Sequence, residues 1–433
     1  NIFIEGEYAT VNPNPNPIGE AFLDDFESSK RTSSPSIMQR HWKKASAPIL
    51  DGSFLIQADR GDLDWYNPFI DVSTQDIWPQ QDVSTQAKNS TTKTLQLQLN
   101  HSDEVMWSGV STSLYSSDFD QSQSKYLDIW INTESVQDDN LILNIDIGYI
   151  SEDMNGNGKL DSEDEDIYGP GLGDGILDDS EDIGLDGCAD QFEDGAGGCL
   201  VNSNPDYIQG DDPNNDNWSY EQYSDDYSQI NGTEGNGLST DYRYPDTEDL
   251  DNDKSLDTIN DYFTYSLNLS NDPNLENQTY DENGEPTGWK LYRILLSNFL
   301  KVSESAEPSI DWDDVRSMRL WANYDNSYNL DFSGNNLLKI AKVELVGNEW
   351  KELGTSTINQ ISEDDFDPEE SDFAITVINT QDNSNYEEPP GVLGEYDEIN
   401  NIREKEQSLV LDFYPISDQV GGISSEEVIA IKK

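Results

Sequence analysis

Hydrophobic and polar residues alternate along much of the chain, and this period of two predicts β-strands. Residues 95–99 read Leu-Gln-Leu-Gln-Leu, which places three leucines on one face of a strand. Residues 141–149 carry an apolar side chain at every odd position, with Asn144 and Asp146 between them. Such strands bury one face and turn polar residues to the other, so a layered β fold is expected.

Eight segments with this pattern are separated by turn-rich stretches, and helical periodicity is scarce. The predicted strands are 95–99, 105–114, 127–131, 141–149, 262–269, 288–296, 315–323 and 337–346. Two packed sheets are the natural way to bury the apolar faces of eight such strands. The pattern therefore predicts an all-β fold, an antiparallel jelly-roll β-sandwich.

The chain divides into three sections by composition. Residues 1–19 contain an alternation of asparagine and proline at 12–17, which favours an extended arm or linker. Residues 20–350 are expected to form the sandwich, interrupted at about 151–260 by a long insertion rich in Asp, Gly and Asn. Residues 351–433 are expected to be a linker with an additional β segment, with strands at 373–379 and 407–414.

The charge is strongly acidic, with 24 Lys and Arg against 88 Asp and Glu and a formal net charge of −64. Nucleic-acid binding needs a basic surface that displaces counterions, so nucleic acid is excluded as a partner. An anionic membrane surface would also repel the chain. Aromatic residues make up 10% of the chain, too many for disorder throughout. The insertion is the most acidic part, and it would not fold unless cations neutralised it.

Cys188 and Cys199 are the two cysteines, and both lie in the insertion. Their short separation favours a local disulfide, which implies an oxidising compartment. Two free thiols in a loop are the alternative. A zinc site is disfavoured because it needs four ligands and no histidine lies nearby.

The clearest motif, at 153–164, has the ligand spacing of an EF-hand-like calcium loop. Gly158 stands at position 6, where the backbone must turn sharply, and Leu160 at position 8 would pack inward. The predicted ligands, with Lys159 offering its carbonyl, are Asp153, Asn155, Asn157, Lys159, Asp161 and Asp164. An aspartate at the last position is similar to the short calcium loops of dockerin-type repeats.

A second copy of the motif occupies 249–260. Its predicted ligands are Asp249, Asp251, Asp253, Ser255, Asp257 and Asn260. Lys254 stands where glycine is usual, which weakens the turn. A partial copy at 170–181 has Pro170 and Leu172 in place of its first two acids. Calcium bound here would be structural, since it would let a self-repelling insertion fold; a solvated acidic loop is the alternative.

The sequence predicts no enzyme. The histidines, His41 and His101, lie beside no nucleophile motif, and no Gly-x-Ser-x-Gly, P-loop or His-Glu-x-x-His motif is present. A glycosidase pair of carboxylates has no distinguishing sequence signal among so many acids. Six tryptophans have two alternative roles, either as a sugar-stacking platform or in core packing. They are Trp107, Trp130, Trp289, Trp312, Trp321 and Trp350.

Five passages resemble galactose-binding-type and carbohydrate-binding-module-like jelly rolls: 22–27, 288–293, 311–315, 318–321 and 340–345. They include Trp289, the Asp-Trp-Asp-Asp-Val run at 311–315 and the closing strand. This resemblance implies the fold and leaves sugar binding open.

A second resemblance covers nearly the whole chain. Its passages occur in order at 12–27, 65–68, 107–110, 184–187, 230–236, 245–250, 344–348 and 389–392. Together they are similar to an internal region of the SprA/Sov family, the giant outer-membrane proteins of type IX secretion and gliding motility in Bacteroidetes-type bacteria. The chain begins at Asn1 and ends at Lys433, and we expect it to be a fragment or a processed chain.

The SprA/Sov resemblance implies a part of a translocon. In that family the full chain is a very large transmembrane β-barrel that exports folded cargo, with a PorV-type barrel protein and a periplasmic plug as partners. This chain is too acidic to consist mainly of lipid-facing strands. We therefore expect an extramembrane β-sandwich module of the outer membrane, on the cell surface rather than the periplasmic side because long excursions of such barrels lie there.

Two functions follow as hypotheses. The first is a structural module of a protein-export channel, with calcium-stiffened loops. The second is a calcium-dependent, glycan-binding β-sandwich of a cell-surface protein.

Overall fold

The structure is a computed structural model that describes most of the sandwich and of the insertion. It describes residues 20–24, 30–56, 59–79, 90–100, 107–114, 119–136, 141–164, 173, 175–178, 181–239, 244–281, 283–305, 308–324, 335–348, 351–357, 373–379, 396–397, 402–403, 407–413 and 427–432. The predicted arm at 1–19 lies outside these residues, as do His101 and Trp350.

The described residues form 24 strands. Those of the N-terminal half are β1 Glu20–Asp24, β2 Lys30–Ser33, β3 Lys43–Lys44, β4 Ile49–Leu50, β5 Ser53–Phe54, β6 Asp62–Tyr66, β7 Val72–Ser73, β8 Thr91–Thr92, β9 Leu95–Asn100, β10 Trp107–Ser113, β11 Ser124–Asn132 and β12 Leu141–Tyr149. Those that follow the insertion are β13 Asp261–Asn268, β14 Leu275–Tyr280, β15 Pro286–Leu295, β16 Leu300–Ser303, β17 Ser317–Tyr324, β18 Asn335–Asn348, β19 Lys351–Thr357, β20 Phe373–Asn379, β21 Tyr396–Asp397, β22 Ile402–Arg403, β23 Gln407–Phe413 and β24 Glu427–Lys432. The helical elements are short: α1 Thr74–Ile77 and 3-10 turns at Gln39–His41, Asp190–Phe192, Asn236–Ser239 and Leu296–Asn298.

Two antiparallel sheets form the sandwich. One has six strands in the order β16-β13-β12-β17-β10-β3, and the other has seven, in the order β14-β15-β11-β18-β9-β6 with β2 paired to β18. The eight predicted strands are all present, four in each sheet. Counted one to eight along the chain, they run 5-4-7-2 in the first sheet and 6-3-8-1 in the second. This order is that of two interlocked Greek keys, so the fold is a jelly-roll β-sandwich and the predicted fold class is confirmed.

The core lies between the two sheets and is built by the alternation seen in the sequence. The odd-numbered residues of β12 from Leu141 to Ile147 are fully buried in it. They meet Leu127, Ile129 and Ile131 of β11, which are equally buried. The period of two therefore selects the residues that face the opposite sheet.

The outer face of the six-stranded sheet holds a buried ion pair. Asp146 of β12 lies 2.7 Å from the guanidinium of Arg319 in β17, and neither side chain is exposed. Thr264 and Trp321 donate further hydrogen bonds to the same carboxylate, at 2.6 and 2.9 Å. Burial raises the pKa of Asp146, and the positive charge of Arg319 opposes this rise.

Four of the six tryptophans are packed inside the molecule, so core packing is their role and they form no open sugar platform. Each is at most 2% exposed: Trp107, Trp130, Trp289 and Trp321. Trp107 and Trp321 pack with Ala45 and neighbouring apolar residues of the segment 45–55. Trp130 and Trp289 pack against α1 and Trp78. Trp312 is half-buried and stacks on Phe263, with ring centroids 3.9 Å apart.

A small third sheet joins the N-terminal strand to the C-terminal section. Its order is β1-β23-β20, so β1 pairs with β23 and lies outside both sandwich sheets. The C-terminal strands predicted at 373–379 and 407–414 are β20 and β23.

The insertion between β12 and β13 is held by bridges and side-chain hydrogen bonds, and none of the 24 strands falls within its described residues. Isolated antiparallel bridges link Ser162 to Thr247 and Ile183 to Glu234. No helix among the described residues has the length and apolar character needed to cross a membrane.

Candidate metal centre

The loop at 153–164 has a backbone that wraps around its first carboxylate. Asp153 Oδ1 accepts the backbone N–H groups of Gly156 and Asn157 at 2.7 and 3.0 Å, and its Oδ2 accepts that of Gly158 at 2.8 Å. The backbone is left-handed at Gly156 and Gly158, with φ of 78° and 72°. These turns fold the backbone tightly around Asp153, as the sharp turn of a calcium loop requires.

The loop at 249–260 repeats this arrangement position by position. Asp249 Oδ1 accepts the N–H groups of Asn252 and Asp253 at 2.6 and 3.3 Å, and its Oδ2 accepts that of Lys254 at 2.8 Å. Lys254 adopts φ of 68°, so it takes the left-handed conformation that Gly158 takes in the first loop. The missing glycine therefore leaves the turn intact, at the expense of strain at Lys254.

Three predicted ligands of the first loop contact one another, but the last position of each loop is engaged elsewhere. In the first loop the side chains of Asn155 and Asn157 both reach Asp161 Oδ2, at 2.6 and 2.7 Å. Asp164 Oδ2, however, accepts the N–H of Gly175 at 2.9 Å. In the second loop Asn260 bonds Glu304 and the backbone of Ser151. In the second loop, Asp251 Oδ1 accepts the N–H of Asp253, and Asp253 Oδ1 accepts the N–H of Ser255. The N–H groups of Lys159 and Asp257 donate to Asn157 and to Glu152.

Two buried glutamates brace the loops against each other. Glu152, just before the first loop, accepts the N–H groups of Leu250 and Asp257 in the second loop at 2.8 and 3.0 Å. Glu248, just before the second loop, accepts the equivalent groups of Met154 and Asp161 in the first loop at 2.8 and 3.2 Å. The backbone pairs in the same way, from Glu152 N to Asp257 O at 2.7 Å and from Glu248 N to Asp161 O at 3.0 Å. The two loops therefore form one unit with an approximate twofold symmetry.

Sequence reasoning missed both glutamates. A carboxylate oxygen of Glu152 lies within 4.8 Å of carboxylate oxygens of Asp249 and Asp251, so it is a further candidate ligand of the second loop. The signal was present, since a glutamate precedes the first aspartate of each loop. The calcium-loop motif begins at the first aspartate, so it does not include this preceding glutamate.

Glu152 and Glu248 are ionisable groups in a buried environment. Burial raises the pKa of Glu152 and of Glu248 to about 7, although two backbone N–H groups stabilise each carboxylate. Neighbouring acids of the loops raise the pKa further, including Asp249 for Glu152 and Asp161 for Glu248. A bound cation would oppose both effects.

Two basic residues attach the loop pair to the sandwich. Lys43 of β3 donates from Nζ to the carbonyl oxygens of Thr247 and Asp249 at 2.5 and 2.6 Å. Arg60 donates from one terminal nitrogen to Met154 O at 2.7 Å and to Ala45 O at 2.9 Å. Each loop thus has its own anchor on the sandwich.

The cysteines of the insertion are joined. Cys188 and Cys199 form a disulfide with their Cα atoms 5.8 Å apart, which closes the loop that contains Asp190 and Glu193. Of the partial third motif, Asp174 lies outside the described residues, and Glu181 accepts the N–H of Asp178 at 3.0 Å.

Comparison with known proteins gives structural neighbours only. No protein-family model matches the chain, and no curated protein matches it. A family 11 carbohydrate-binding module from Clostridium thermocellum, in complex with a β-1,3-1,4-mixed-linked tetrasaccharide, is 11% identical, with a TM-score of 0.27 over 77% of this chain and 98% of that one. The family 11 module of a cellulosomal cellulase from the same organism is 10% identical, with a TM-score of 0.24 over 77% and 96%. Similarity this low adds nothing to the strand order, which itself defines the jelly roll.

Proposed function

We propose that this chain is a non-catalytic β-sandwich module whose acidic insertion is folded by structural calcium. The observation that carries this is the loop pair, in which two loops of the same geometry are cross-braced by Glu152 and Glu248. Two independent chain segments adopt the same turn around their first aspartate. The carboxylate and amide oxygens of these loops are the kind of donor that Ca²⁺ prefers. Lys43 and Arg60 then transmit the order of the loops to the sandwich.

Thermal unfolding in calcium and in EDTA tests this proposal. At a free calcium concentration a hundredfold above Kd, each site adds about 2.7 kcal/mol to the folded state, so two sites add about 5 kcal/mol. Asp153→Asn and Asp249→Asn should each reduce the calcium-dependent rise in Tm. Asp225→Asn removes an exposed acid of the same insertion and is the matched control. Equal melting curves with and without calcium would remove the proposal.

We further propose that the module belongs to an outer-membrane translocon of type IX secretion, on its extramembrane face. The ordered series of short passages from 12–27 to 389–392 supports this assignment. It predicts a parent chain several-fold larger than 48.7 kDa, which co-purifies with another barrel protein. An antibody raised against this chain and used on outer-membrane extracts tests both the size of the parent chain and its co-purification. A free band near the chain's own size would contradict the assignment.

An exposed aromatic surface favours glycan binding as a second candidate function. We call it the Phe69 surface; it comprises Phe69, Tyr220, Tyr223 and Tyr227, and Tyr227 stacks on the buried ring of Tyr66. Phe69 and Tyr223 are 51% and 66% exposed and meet edge to face at 4.5 Å. Exposed rings of this kind provide apolar faces on which sugar rings stack.

Binding to a polysaccharide panel separates this second candidate from the first. Saturable binding that Phe69→Ala and Tyr223→Ala abolish would establish it. The control is Ile208→Ala, which removes an exposed apolar side chain outside the Phe69 surface. Absence of binding across the panel would leave the translocon assignment.

A further inference from the structure

A second group of acids in the insertion lies outside both loops. We call it the Glu193 cluster; it comprises Asp186, Asp190, Glu193, Asp216 and Glu234. Carboxylate oxygens of Asp186, Glu193 and Asp216 lie within 4.8 Å of one another, and so do those of Asp190, Glu193 and Glu234. Glu193 therefore belongs to both triads. No Lys or Arg forms an ion pair with these five acids among the residues that the structure describes.

Buried oxygens without partners mark the cluster as incomplete. Glu193 is 1% exposed, and its Oε1 has no hydrogen-bond partner in the described part of the chain. Its Oε2 accepts the N–H of Asn214 at 2.8 Å, so the side chain is fixed while one oxygen remains free. Asp216 Oδ1 and Glu234 Oε2 are also buried and have no partner among the described residues. An unsatisfied buried carboxylate oxygen is costly, and this cluster contains three of them.

Neighbouring groups hold the cluster in place. The Cys188–Cys199 disulfide closes the loop that presents Asp190 and Glu193. Asn217 donates to Asp190 Oδ1 at 2.8 Å, and Glu234 is bridged to Asn217 and Ile183 through its backbone. Asp190 and Glu193 thus come from the disulfide-closed loop, whereas Asp186, Asp216 and Glu234 come from outside it.

We propose that the Glu193 cluster is a further calcium centre, separate from the two loops, with Glu193 as its central ligand. All its donors are hard oxygens, which excludes a soft metal and suits Ca²⁺. Irregular loops with several carboxylates fit the variable coordination of Ca²⁺ better than the strict octahedron of Mg²⁺. Sharing of Glu193 by two triads allows it to bridge two ions.

The electrostatics of the cluster favour a cation. Burial raises the pKa of Asp216 and of Glu234 to about 8, and other acids of the cluster raise it further. The pKa values of Glu193 and Asp186 are raised by burial in the same way. A divalent cation would stabilise these carboxylates in their charged form.

Native mass spectrometry of the full chain, with calcium added, counts the bound ions. With both loops also occupied, the proposal predicts more than two tightly bound ions for the wild type. Glu193→Gln should lose one or two of them, according to whether Glu193 serves one ion or bridges two. Glu221→Gln, an exposed glutamate of the same insertion, should lose none. A wild type without bound ions, or an unchanged count in Glu193→Gln, would overturn the proposal.

A double variant separates this centre from the loops. Asp153→Asn with Asp249→Asn should remove the loop ions and leave those that depend on Glu193. If the loops bind no calcium, this double variant leaves the number of bound ions unchanged, whereas Glu193→Gln still lowers it. The number of ions bound to the wild type can be measured whether or not the variants fold. Asp216→Asn, which removes a different ligand, provides a second test of the cluster.

Discussion

Glu248→Gln is the substitution that most directly tests how the two calcium-type loops are joined. Glu248 is 2% exposed and accepts the N–H groups of Met154 at 2.8 Å and of Asp161 at 3.2 Å. A hydrogen bond to a charged group contributes about 1.5–3 kcal/mol. Glutamine keeps one acceptor oxygen but turns an NH₂ group towards the second N–H. One bond is lost and one donor is left unsatisfied, so we expect opening of the first loop to become easier by about 2 kcal/mol.

Amide hydrogen exchange measures this locally. A change of about 2 kcal/mol corresponds to roughly 30-fold faster exchange at Met154 or Asp161, whichever amide faces the new NH₂ group. The measurement belongs at pH 8, where the Glu248 carboxyl, whose pKa burial raises to about 7, is mostly ionised. Glu152→Gln should affect Leu250 or Asp257 in the same way.

The exposed Glu221→Gln is again the control for loss of a carboxylate. Exchange at both first-loop amides within about twofold of wild type, a difference below about 0.5 kcal/mol, would refute the role of Glu248 as a brace. Faster exchange throughout the sandwich would show instead that the substitution acts on global stability.

Three further predictions concern the loops and the sandwich. Lys254→Gly should stabilise the second loop by about 1 kcal/mol in chemical denaturation, because glycine adopts φ of 68° without strain. Gly158→Ala should destabilise the first loop by a similar amount. Unchanged stability in Lys254→Gly would contradict the strain at Lys254. Trp130→Ala should lower the free energy of unfolding by about 3–5 kcal/mol, because its side chain is 2% exposed; a loss below about 1 kcal/mol would contradict its core role. Burial raises the pKa of Tyr262 from 10.0 to about 12, so the folded state retains this proton longer than the unfolded chain. The protonated Tyr262 contributes to the free energy of unfolding below pH 10, and roughly 2–3 kcal/mol of this is lost as pH rises towards 12. Urea titrations from pH 9 to 12 should show a smaller loss of stability in Tyr262→Phe than in the wild type. An equal loss would refute this assignment.

The strands of the sandwich could be predicted because their signal is local. Alternation at 95–99 and 141–149 predicts β9 and β12, since one face of each strand is buried over its whole length. The edge strands β3 and β16 gave no such signal, because they are 2 and 4 residues long. The pairing of β1 with β23 joins residues almost 400 positions apart in the printed sequence, and no local pattern specifies such a partner.

The candidate site could be predicted in part for the same reason. The spacing of Asp153 and Asp161 lies within one loop, so the ligand pattern is readable from the sequence. The Glu193 cluster has no such pattern, because Asp216 and Glu234 are brought to it from distant segments. The sequence also left two roles open for six tryptophans, and burial resolved that choice for four of them: Trp107, Trp130, Trp289 and Trp321.

The sequence by itself determined the all-β class, the eight core strands, the two loops and the strongly acidic insertion. These features depend on neighbouring residues, whose spacing fixes which side chains share a face or a turn. Only the tertiary structure decided that Glu152 and Glu248 brace opposite loops, that Trp107 and Trp321 are covered, and that five acids meet at Glu193. Those contacts join residues far apart in the chain, and packing selects them only once the sandwich has brought the segments together.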